Sequence, residues 1–481
     1  MSQLTYRHCP RRFTRLHSGL RHTLGVPRLA VPLLFAAAAT GLAGSPRAEA
    51  PATPAAQSTG AGQPRLAELP ATIETLDNGL KVILVEDHSA PVVSRWTFYR
   101  VGARDERPGI TGISHYIEHM MFNGAEKYGP KEFDRVLEAN GGYSNAYTSE
   151  DMTAYFEDVA SDILELSFDL DSDRMRSLAF DPQMVESELG VVREERRLSV
   201  DNSIEGLMAE EFAALAYKAH PYQWGVLGWM SDLMSITRED AVQYWRSHYS
   251  PNNAVLIVVG DFDTKAALAL VRKYYGDIPA QAPPAPVRTQ EPEQIGERRA
   301  ELRKEAEMPS LLIGYHIGNV KSSDILALDV LQMILTDGES SRLYKKLVRD
   351  LAIAVYARSS AEWKIDPGLF YFDIQARPDE DPLEVENAVY DELAAITANG
   401  VDAAELEKAK NRLLAGFFRS MQTVNDKAGS IGRYELLFGD FHEIYRMQER
   451  YEAVTVDDVK RVAGQYFDQK NRTVVTLIPE G

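Results

Sequence analysis

The sequence is nearly free of cysteine, since Cys9 is the single one among 481 residues. This excludes a framework of intramolecular disulfides and any metal site built from several thiolates. Cys9 also precedes the apolar run of the N-terminus rather than ending it, a position that does not suit a lipoprotein anchor. A chain of this length does not need covalent cross-links, because it can bury a large hydrophobic core.

Positive charge is also scarce, with 52 lysines and arginines against 71 aspartates and glutamates. The resulting formal net charge of −19 argues against a nucleic-acid-binding surface, which requires a basic face. We therefore expect no nucleic acid among the partners.

The N-terminus departs from this acidic composition, since residues 1–28 carry six arginines and no acid. The apolar run LAVPLLFAAAATGLAG and a small-x-small ending at 48–50 follow, which predicts a secretory signal peptide over residues 1–50. The run is short and alanine-rich for a stable membrane span. We expect export to a bacterial periplasm without stable membrane insertion after cleavage, which also fits the scarcity of cysteine. A membrane tether formed by an uncleaved N-terminal segment is the alternative.

Low-complexity segments divide the remaining chain. Residues 51–69 are rich in proline, alanine and glycine and predict a flexible lead-in. Residues 279–295 are rich in proline and lack apolar periodicity, as expected of an interdomain linker. They separate a predicted N-terminal domain, 70–278, from a predicted C-terminal domain, 296–481.

The two halves on either side of this linker resemble each other. SRWTFYRVG (94–102) aligns with SLLIGYHIG (310–318) at an offset of 216 residues, and 236–259 aligns with 454–477 at an offset of 218. Nearly equal offsets at the start and end of each half indicate an internal duplication. We predict an α+β fold of two homologous domains, each a mainly antiparallel sheet packed by helices.

The stretch HYIEHMMF places His115 and His119 four residues apart, with Glu118 directly before the second histidine. In a helix both imidazoles lie on one face and can bind one cation, most commonly zinc. Glu118 lies close to that face, where it could take a proton from a zinc-activated water. Alone, the motif is equally compatible with two surface histidines beside an acid.

The second half bears on this choice. At the offset of 216, the three motif positions correspond to Leu331, Ile334 and Leu335. These apolar residues indicate a helix face that points inward, where polar side chains need partners, and a metal could serve both histidines.

A catalytic zinc normally needs a third protein ligand, and the acidic helix predicted over 181–199 is the best source. On a helical wheel, Glu188 and Glu195 share one stripe with three apolar residues. A carboxylate in such a stripe indicates a ligand or a buried ion pair. Glu194 points toward the edge of the stripe and is expected to be solvated.

These motifs resemble the pitrilysin, insulin-degrading-enzyme and mitochondrial-processing-peptidase family, and the resemblance spans nearly all of residues 70–481. H-x-x-E-H is the inverted zinc motif of such peptidases. The family's third ligand is a glutamate about 76 residues after the second histidine, which is Glu195 here. A further family glutamate, seven residues earlier, supports the metal site and corresponds to Glu188.

The resemblance also implies substrate-binding positions. GGYSNAYTSEDMTAYF (141–156) resembles the family's active-site strand, so Asn145 and Ala146 are expected beside an extended peptide. An ordinary β-hairpin is the alternative. Arg349 and Tyr356 match the family's Arg/Tyr pair, which implies that they stabilise negative charge at the substrate carbonyl. The segment RDLAIAVY lacks the glycine that the family often has shortly before this tyrosine.

The resemblance implies a zinc-dependent metalloendopeptidase with one Zn²⁺ per active site, which hydrolyses peptides or unfolded polypeptides. The ligands would be His115, His119 and Glu195, and Glu118 would take the proton of the attacking water. The alternatives are a catalytically idle structural or assembly subunit and a periplasmic zinc-binding protein of the same fold. In two-chain family members the zinc motif and the Arg/Tyr pair often lie on different subunits. We therefore expect a homodimer or a heterodimer with a related subunit.

Overall fold

The computed structural model describes residues 65–480. The signal peptide expected over residues 1–50 and residues 51–64 of the expected lead-in lie outside this described part. Within it, no helix is both long and apolar enough to cross a membrane.

The described residues form two β-sheets, one in each half of the chain. The strands of the first sheet are β1 (Ala71–Thr75), β2 (Lys81–Glu86), β3 (Val92–Tyr99), β4 (Tyr143–Thr148), β5 (Thr153–Ala160) and β6 (Ala254–Gly260). They lie in the order β1-β2-β6-β3-β5-β4. The strands of the second sheet are β7 (Arg298–Glu305), β8 (Ser310–His316), β9 (Ala354–Ala361), β10 (Leu369–Ala376) and β11 (Arg472–Glu480). Their order is β7-β11-β8-β10-β9.

Helices pack on both sheets. The helices of the first half are α1 (Ile113–Met120), α2 (Glu132–Ala139), α3 (Leu164–Ser177), α4 (Pro182–Arg196), α5 (Ile204–Ala216), α6 (Met230–Leu233), α7 (Arg238–His248) and α8 (Thr264–Tyr275). Those of the second half are α9 (Ile325–Thr336), α10 (Pro382–Asn399), α11 (Ala403–Arg419), α12 (Val424–Phe438), α13 (Glu443–Ala453) and α14 (Val456–Tyr466). Two π-helical segments, Arg197–Asp201 and Tyr344–Asp350, add to these.

The two sheets share one topology. The order β7-β11-β8-β10-β9 repeats β2-β6-β3-β5-β4, and in each the first pair is parallel and the others are antiparallel. Ser94 pairs with Val259, and Ser310 pairs with Leu477, so the backbone register reproduces both sequence offsets. The predicted α+β fold of two homologous, mainly antiparallel domains is confirmed.

Helices α7 and α14 correspond in the same way. Each begins with a capping box, in which a threonine and an aspartate three residues later bond each other's backbone N–H. The pairs are Thr237 with Asp240 and Thr455 with Asp458, again 218 residues apart. A local sequence signal therefore sets the start of the same helix in both domains.

Each half also lends one helix to the sheet of the other half. α12 lies on β3 of the first sheet, where a Cβ on Gly432 would lie 2.0 Å from the Phe98 ring. α5 packs on the second sheet, where a Cβ on Gly314 would lie 2.3 Å from the Phe212 ring. Phe98 and Gly314 are equivalent positions at the offset of 216. In both halves a phenylalanine therefore packs on a glycine. The phenylalanine lies on the strand in the first sheet and on the helix at the second sheet.

The proline-rich segment 279–295 contains no helix or strand, yet it is anchored near its C-terminal end. Glu291 accepts hydrogen bonds from the backbone N–H groups of residues 218–220, and the Gln294 side chain donates to the Arg472 carbonyl. Leu66 and Leu69, inside the segment expected to be flexible, pack against the apolar cluster that joins the two halves. These two residues are therefore part of the fold rather than a free lead-in.

Candidate metal centre

Helix α1 carries the H-x-x-E-H motif, and its apolar residues bury it against the core of the first half. Gly112 precedes the helix at φ +87°, a conformation that glycine adopts without a steric penalty. The carboxylate of Glu106 accepts hydrogen bonds from the N–H groups of Gly112 and Ser114, both at 2.8 Å. This buried carboxylate satisfies donors that the start of a helix leaves unpaired and so holds the motif in place.

Helix α4 supplies two carboxylates to the same place. Asp181 caps it, Pro182 occupies its first position, and its buried side comprises Val185, Leu189, Val192 and Arg196. Glu188 and Glu195, two turns apart, lie on the face toward α1.

The helical wheel grouped Glu188 and Glu195 with apolar residues but did not show which of these residues are covered. Val191 is 43% exposed and Leu198 is 71% exposed, although both share the stripe of the two glutamates. The residues that contact the core are not those of the stripe. They are the buried residues named above, each of which directly follows a stripe residue in the sequence. Glu194 is 65% exposed and pairs with Arg197, as expected of a solvated residue.

His115, His119 and Glu195 form one cluster, here called the His/Glu cluster, whose ligand atoms lie within 4.8 Å of one another. The Glu195 Oε2 atom is 3.4 Å from His119 Nε2 and 3.8 Å from His115 Nε2. Ligands about 2.0–2.2 Å from a tetrahedral zinc lie roughly 3.3–3.6 Å apart. Donor type and spacing both fit a zinc ion.

Glu188 orients one of these imidazoles. Its Oε1 lies 2.8 Å from His119 Nδ1, and its Oε2 accepts a 2.9 Å hydrogen bond from the Asn123 side chain. When Nδ1 donates to Glu188, the lone pair is left on Nε2, the nitrogen that faces Glu195. Asn123 was not selected from the sequence, because it lies beyond the end of α1, where its side chain also donates to the His119 carbonyl at 3.1 Å.

The two histidines have opposite pKa shifts in the protein chain. Burial, together with the neighbouring charge of His119, lowers the pKa of His115 to about 4. Burial also acts to lower the pKa of His119, but hydrogen bonds with Glu188 and Glu195 raise it to about 10. His115 is therefore neutral at pH 7, whereas His119 must release a proton before it can bind a metal.

Glu118 stands beside the cluster without belonging to it. Its Oε2 accepts a 2.5 Å hydrogen bond from Thr148 Oγ1 at the end of β4. Burial raises the pKa of Glu118 to about 7, against the lowering effects of Thr148 and His119. Thr148 lies inside the strand segment recognised in the sequence, but its contact with Glu118 is visible only in the fold.

Strand β4 is an edge strand that pairs with β5 alone. Asn145 and Ala146 lie in its middle, opposite Phe156 and Tyr155. The Asn145 side chain accepts a 2.9 Å hydrogen bond from the Ala146 N–H, and Tyr143 on the same strand is 57% exposed. The outer edge of β4 thus offers backbone groups to an added strand.

Arg349 and Tyr356 lie in the second half and do not reach the cluster. Arg349 has a 58% exposed side chain that pairs with Asp350. Tyr356 lies on the edge strand β9 and donates a 3.2 Å hydrogen bond to Asp373. Within residues 65–480, neither side chain has a hydrogen bond or ion pair with the His/Glu cluster. Ala352, four residues before Tyr356, adopts the left-handed region at φ +54°, a conformation that favours glycine.

Comparison with known proteins agrees with this fold. The model of the insulinase family (peptidase family M16) matches residues 81–228, and that of the peptidase M16 inactive domain matches residues 235–413. A zinc protease of Helicobacter pylori, PqqE, is 32% identical over 84% of this chain and 92% of its own. The beta subunit of the mitochondrial-processing peptidase of Lentinula edodes is 26% identical over 83% of this chain and 88% of its own.

Solved structures give the same result. The crystal structure of a protease from Helicobacter pylori superposes with a TM-score of 0.83 and 31% identity, over 85% of this chain and all of that one. The first half of the periplasmic protease PqqL from Escherichia coli shares the fold, with a TM-score of 0.72 and 21% identity over 87% of this chain and 94% of that one. The chain therefore belongs to the insulinase family of peptidases, family M16.

Proposed function

We propose that this chain is a zinc-dependent endopeptidase that hydrolyses peptides or unfolded polypeptides, with its active site in the first domain. The observation that carries the proposal is the half-buried carboxylate of Glu118, held by Thr148 beside the three converging ligands. Metal storage needs only the ligands, whereas hydrolysis also needs a base held next to them.

His115, His119 and Glu195 would hold the zinc, and Glu188 would fix the ring of His119. Zinc bound there supplies a Lewis acid that acidifies water and polarises the substrate carbonyl. The neutral state of His115 and the Glu188 contact of His119 leave both imidazoles ready to act as ligands once His119 has lost its proton.

Glu118 would be the general base. Thr148 holds its Oε2, so Oε1 is the atom free to take the proton of the attacking water and to return it to the leaving amine. A carboxyl whose pKa burial has raised to about 7 can do both near neutral pH.

The substrate would add to the outer edge of β4 as an extended strand, beside Asn145 and Ala146. Backbone hydrogen bonds to such an edge do not depend on sequence, which suits unfolded polypeptides. Thr148 is the third residue after Asn145 on the same strand, so a strand paired here would pass close to Glu118.

Arg349 and Tyr356 would complete the site from a second subunit, where they would stabilise the charge that develops on the carbonyl oxygen. The exposure of Arg349 supports this arrangement, as does the fact that it has no hydrogen bond or ion pair with the cluster within residues 65–480. A relative named as a subunit of a processing peptidase also supports a dimer, with a second copy or a related chain.

We also propose the domain layout 70–278, 279–295 and 296–481, preceded by a signal peptide over residues 1–50 that directs the protein to the periplasm. The separate sheets and the unstructured but anchored linker support the layout. The composition of the N-terminus supports export, as does the fold shared with a periplasmic protease.

Glu118→Gln tests the peptidase function against its alternatives. The protein would be incubated with a peptide mixture, with and without a chelator, and the products read by mass spectrometry. We expect wild-type protein to cleave, chelated protein not to cleave, and Glu118→Gln to keep its zinc but lose cleavage. Glu186→Gln is the matched control and should retain cleavage, because the Glu186 side chain on α4 is 75% exposed.

Lack of cleavage by the zinc-loaded wild-type protein would favour an idle subunit or a zinc-binding protein. Residues 235–413 match a family model described as an inactive domain. This match does not decide whether the chain is a peptidase, because the zinc motif lies in the first half, which matches the insulinase family model.

A further inference from the structure

The catalytic carboxylate is tied to a turn that the second domain holds. Thr148, the residue that donates to Glu118, is the last residue of β4, and the turn 149–152 follows it directly. A shift of this turn therefore moves the Thr148 hydroxyl and, with it, the position of the Glu118 side chain.

A segment of the second domain, 362–366, binds this turn through an ion pair and a backbone hydrogen bond. Lys364 Nζ lies 3.1 Å from Glu150 Oε1 and 2.9 Å from Glu362 Oε1. The backbone N–H of Ile365 donates a 2.9 Å hydrogen bond to Asp151 Oδ2. Two consecutive residues of the turn are thus bound by two consecutive residues of the domain that lacks the zinc motif.

The contact is buried and charged. The side chains of Lys364 and Asp151 are 12% and 6% exposed. Burial by itself would lower the pKa of Lys364, but the charges of Glu150 and Glu362 outweigh it and raise the pKa well above its ordinary value. Lys364 is therefore charged, and removing it leaves carboxylates without their partner in a poorly hydrated place.

The first domain holds the turn from its other side. The N–H groups of Ala103 and Arg104 donate to the carbonyls of Ser149 and Glu150 at 3.1 Å and 2.9 Å. A Cβ on Gly102 would lie 2.4 Å from the Ser149 carbonyl oxygen, so this loop lies directly against the turn. The loop also closes the connection between the domains, because Arg104 pairs with Asp366 at 2.9 Å.

We propose that the segment 362–366 positions Glu118 through the turn 149–152 and Thr148, with Lys364 as the principal positioning residue. This inference rests on the proposed peptidase function. The domain without a zinc motif would thereby position the general base of its own chain.

Lys364→Met tests the proposal, because it keeps the length of the side chain and removes its charge. We expect kcat to fall by about tenfold to a hundredfold, as small misplacements of catalytic groups do, with KM and bound zinc little changed. Lys364→Arg should restore most of kcat. In hydrogen–deuterium exchange, the peptide spanning 143–153 should exchange faster in Lys364→Met than in wild-type protein.

A double-mutant cycle with Thr148→Val separates positioning from general destabilisation. If Lys364 acts through Thr148, its loss should have little further effect on kcat once Thr148 is replaced, whereas independent effects would multiply. If Lys364→Met does not yield folded protein, Glu150→Gln removes the other side of the ion pair and enters the same cycle.

Lys427→Met is the matched control, since Lys427 forms a half-buried ion pair between the domains with Asp87. Asp87 follows β2, and β4 lies four strand spacings away across the sheet, about 19 Å. We expect lower stability without a loss of kcat. Multiplicative effects in the cycle, unchanged exchange of 143–153, or the same kcat loss in Lys427→Met would overturn the proposal. An inactive wild-type protein would instead refute the peptidase function, and the exchange result alone would then decide whether Lys364 holds the turn.

Discussion

The three glutamates of α4 provide a graded test of the metal site, because they lie on one helix and differ only in what they contact. Glu195 faces both imidazoles, Glu188 contacts His119 at Nδ1 rather than at Nε2, and Glu194 is exposed and paired with Arg197. Replacing each by glutamine removes one negative charge and almost no volume. Differences in zinc affinity therefore report position rather than chemistry.

The expected losses follow from these contacts. Glu195→Gln removes a protein ligand and should weaken zinc binding by more than about a hundredfold. Glu188→Gln weakens a group that accepts two hydrogen bonds, at 2.8 and 2.9 Å, and should cost roughly tenfold to a hundredfold, about 1.4–2.8 kcal/mol. Glu194→Gln should change the affinity by less than about twofold, because solvent and salt screen an exposed charge.

Zinc affinity would be measured by competition with a chromophoric chelator, and zinc content by elemental analysis of purified protein. Circular dichroism of each variant would check that the helix is intact. Equal losses for Glu194→Gln and Glu195→Gln would refute the assignment of the third ligand. A loss for Glu188→Gln as large as that for Glu195→Gln would show that Glu188 is itself a ligand.

Three further predictions concern packing, titration and assembly. Gly432→Ala should destabilise the protein by about 1–3 kcal/mol in urea unfolding, because the new methyl group overlaps the Phe98 ring, whereas Gly225→Ala, which meets no atom within 4 Å, should not. Burial raises the pKa of Asp329 to about 7, so its contribution to stability is present below about pH 4 and is lost as the pH rises through 7. Asp329→Asn should therefore lose less stability than wild-type protein between pH 5 and pH 8, by up to about 2.5 kcal/mol; equal losses would contradict the shift. If Arg349 acts across a homodimer, mixing inactive Glu118→Gln and Arg349→Ala proteins should restore up to about a quarter of wild-type activity after subunit exchange, and no recovery would exclude it.

The internal repeat and the helix-capping residues in the sequence predicted the architecture correctly. The offsets of 216 and 218 reappear as the pairing register of β3 with β6 and of β8 with β11, since a strand can shift only by turning its buried side chains outward. Capping residues at Thr237 and Thr455 likewise set the starts of two equivalent helices. These features depend on residues close in sequence, or on repetition of one pattern, and can therefore be predicted from the sequence.

The helical wheel had a limit in α4. It grouped Glu188 and Glu195 on one stripe, and both carboxylates do lie toward α1. It did not reveal that Val191 and Leu198 on the same stripe are exposed. A wheel gives the relative angles of side chains, but the neighbouring elements decide which side of the helix is covered.

The sequence by itself determined the duplicated α+β architecture and brought forward His115, Glu118, His119 and Glu195, because helical spacing ties each set of positions to one face. Only the tertiary structure decided which residues support them: Asn123 on Glu188, Thr148 on Glu118, and Lys364 on the turn beyond Thr148. The physical reason is separation along the chain. Lys364 and Glu150 are more than 200 residues apart, and no local pattern encodes a contact that exists only after both sheets and the exchanged helices have packed together.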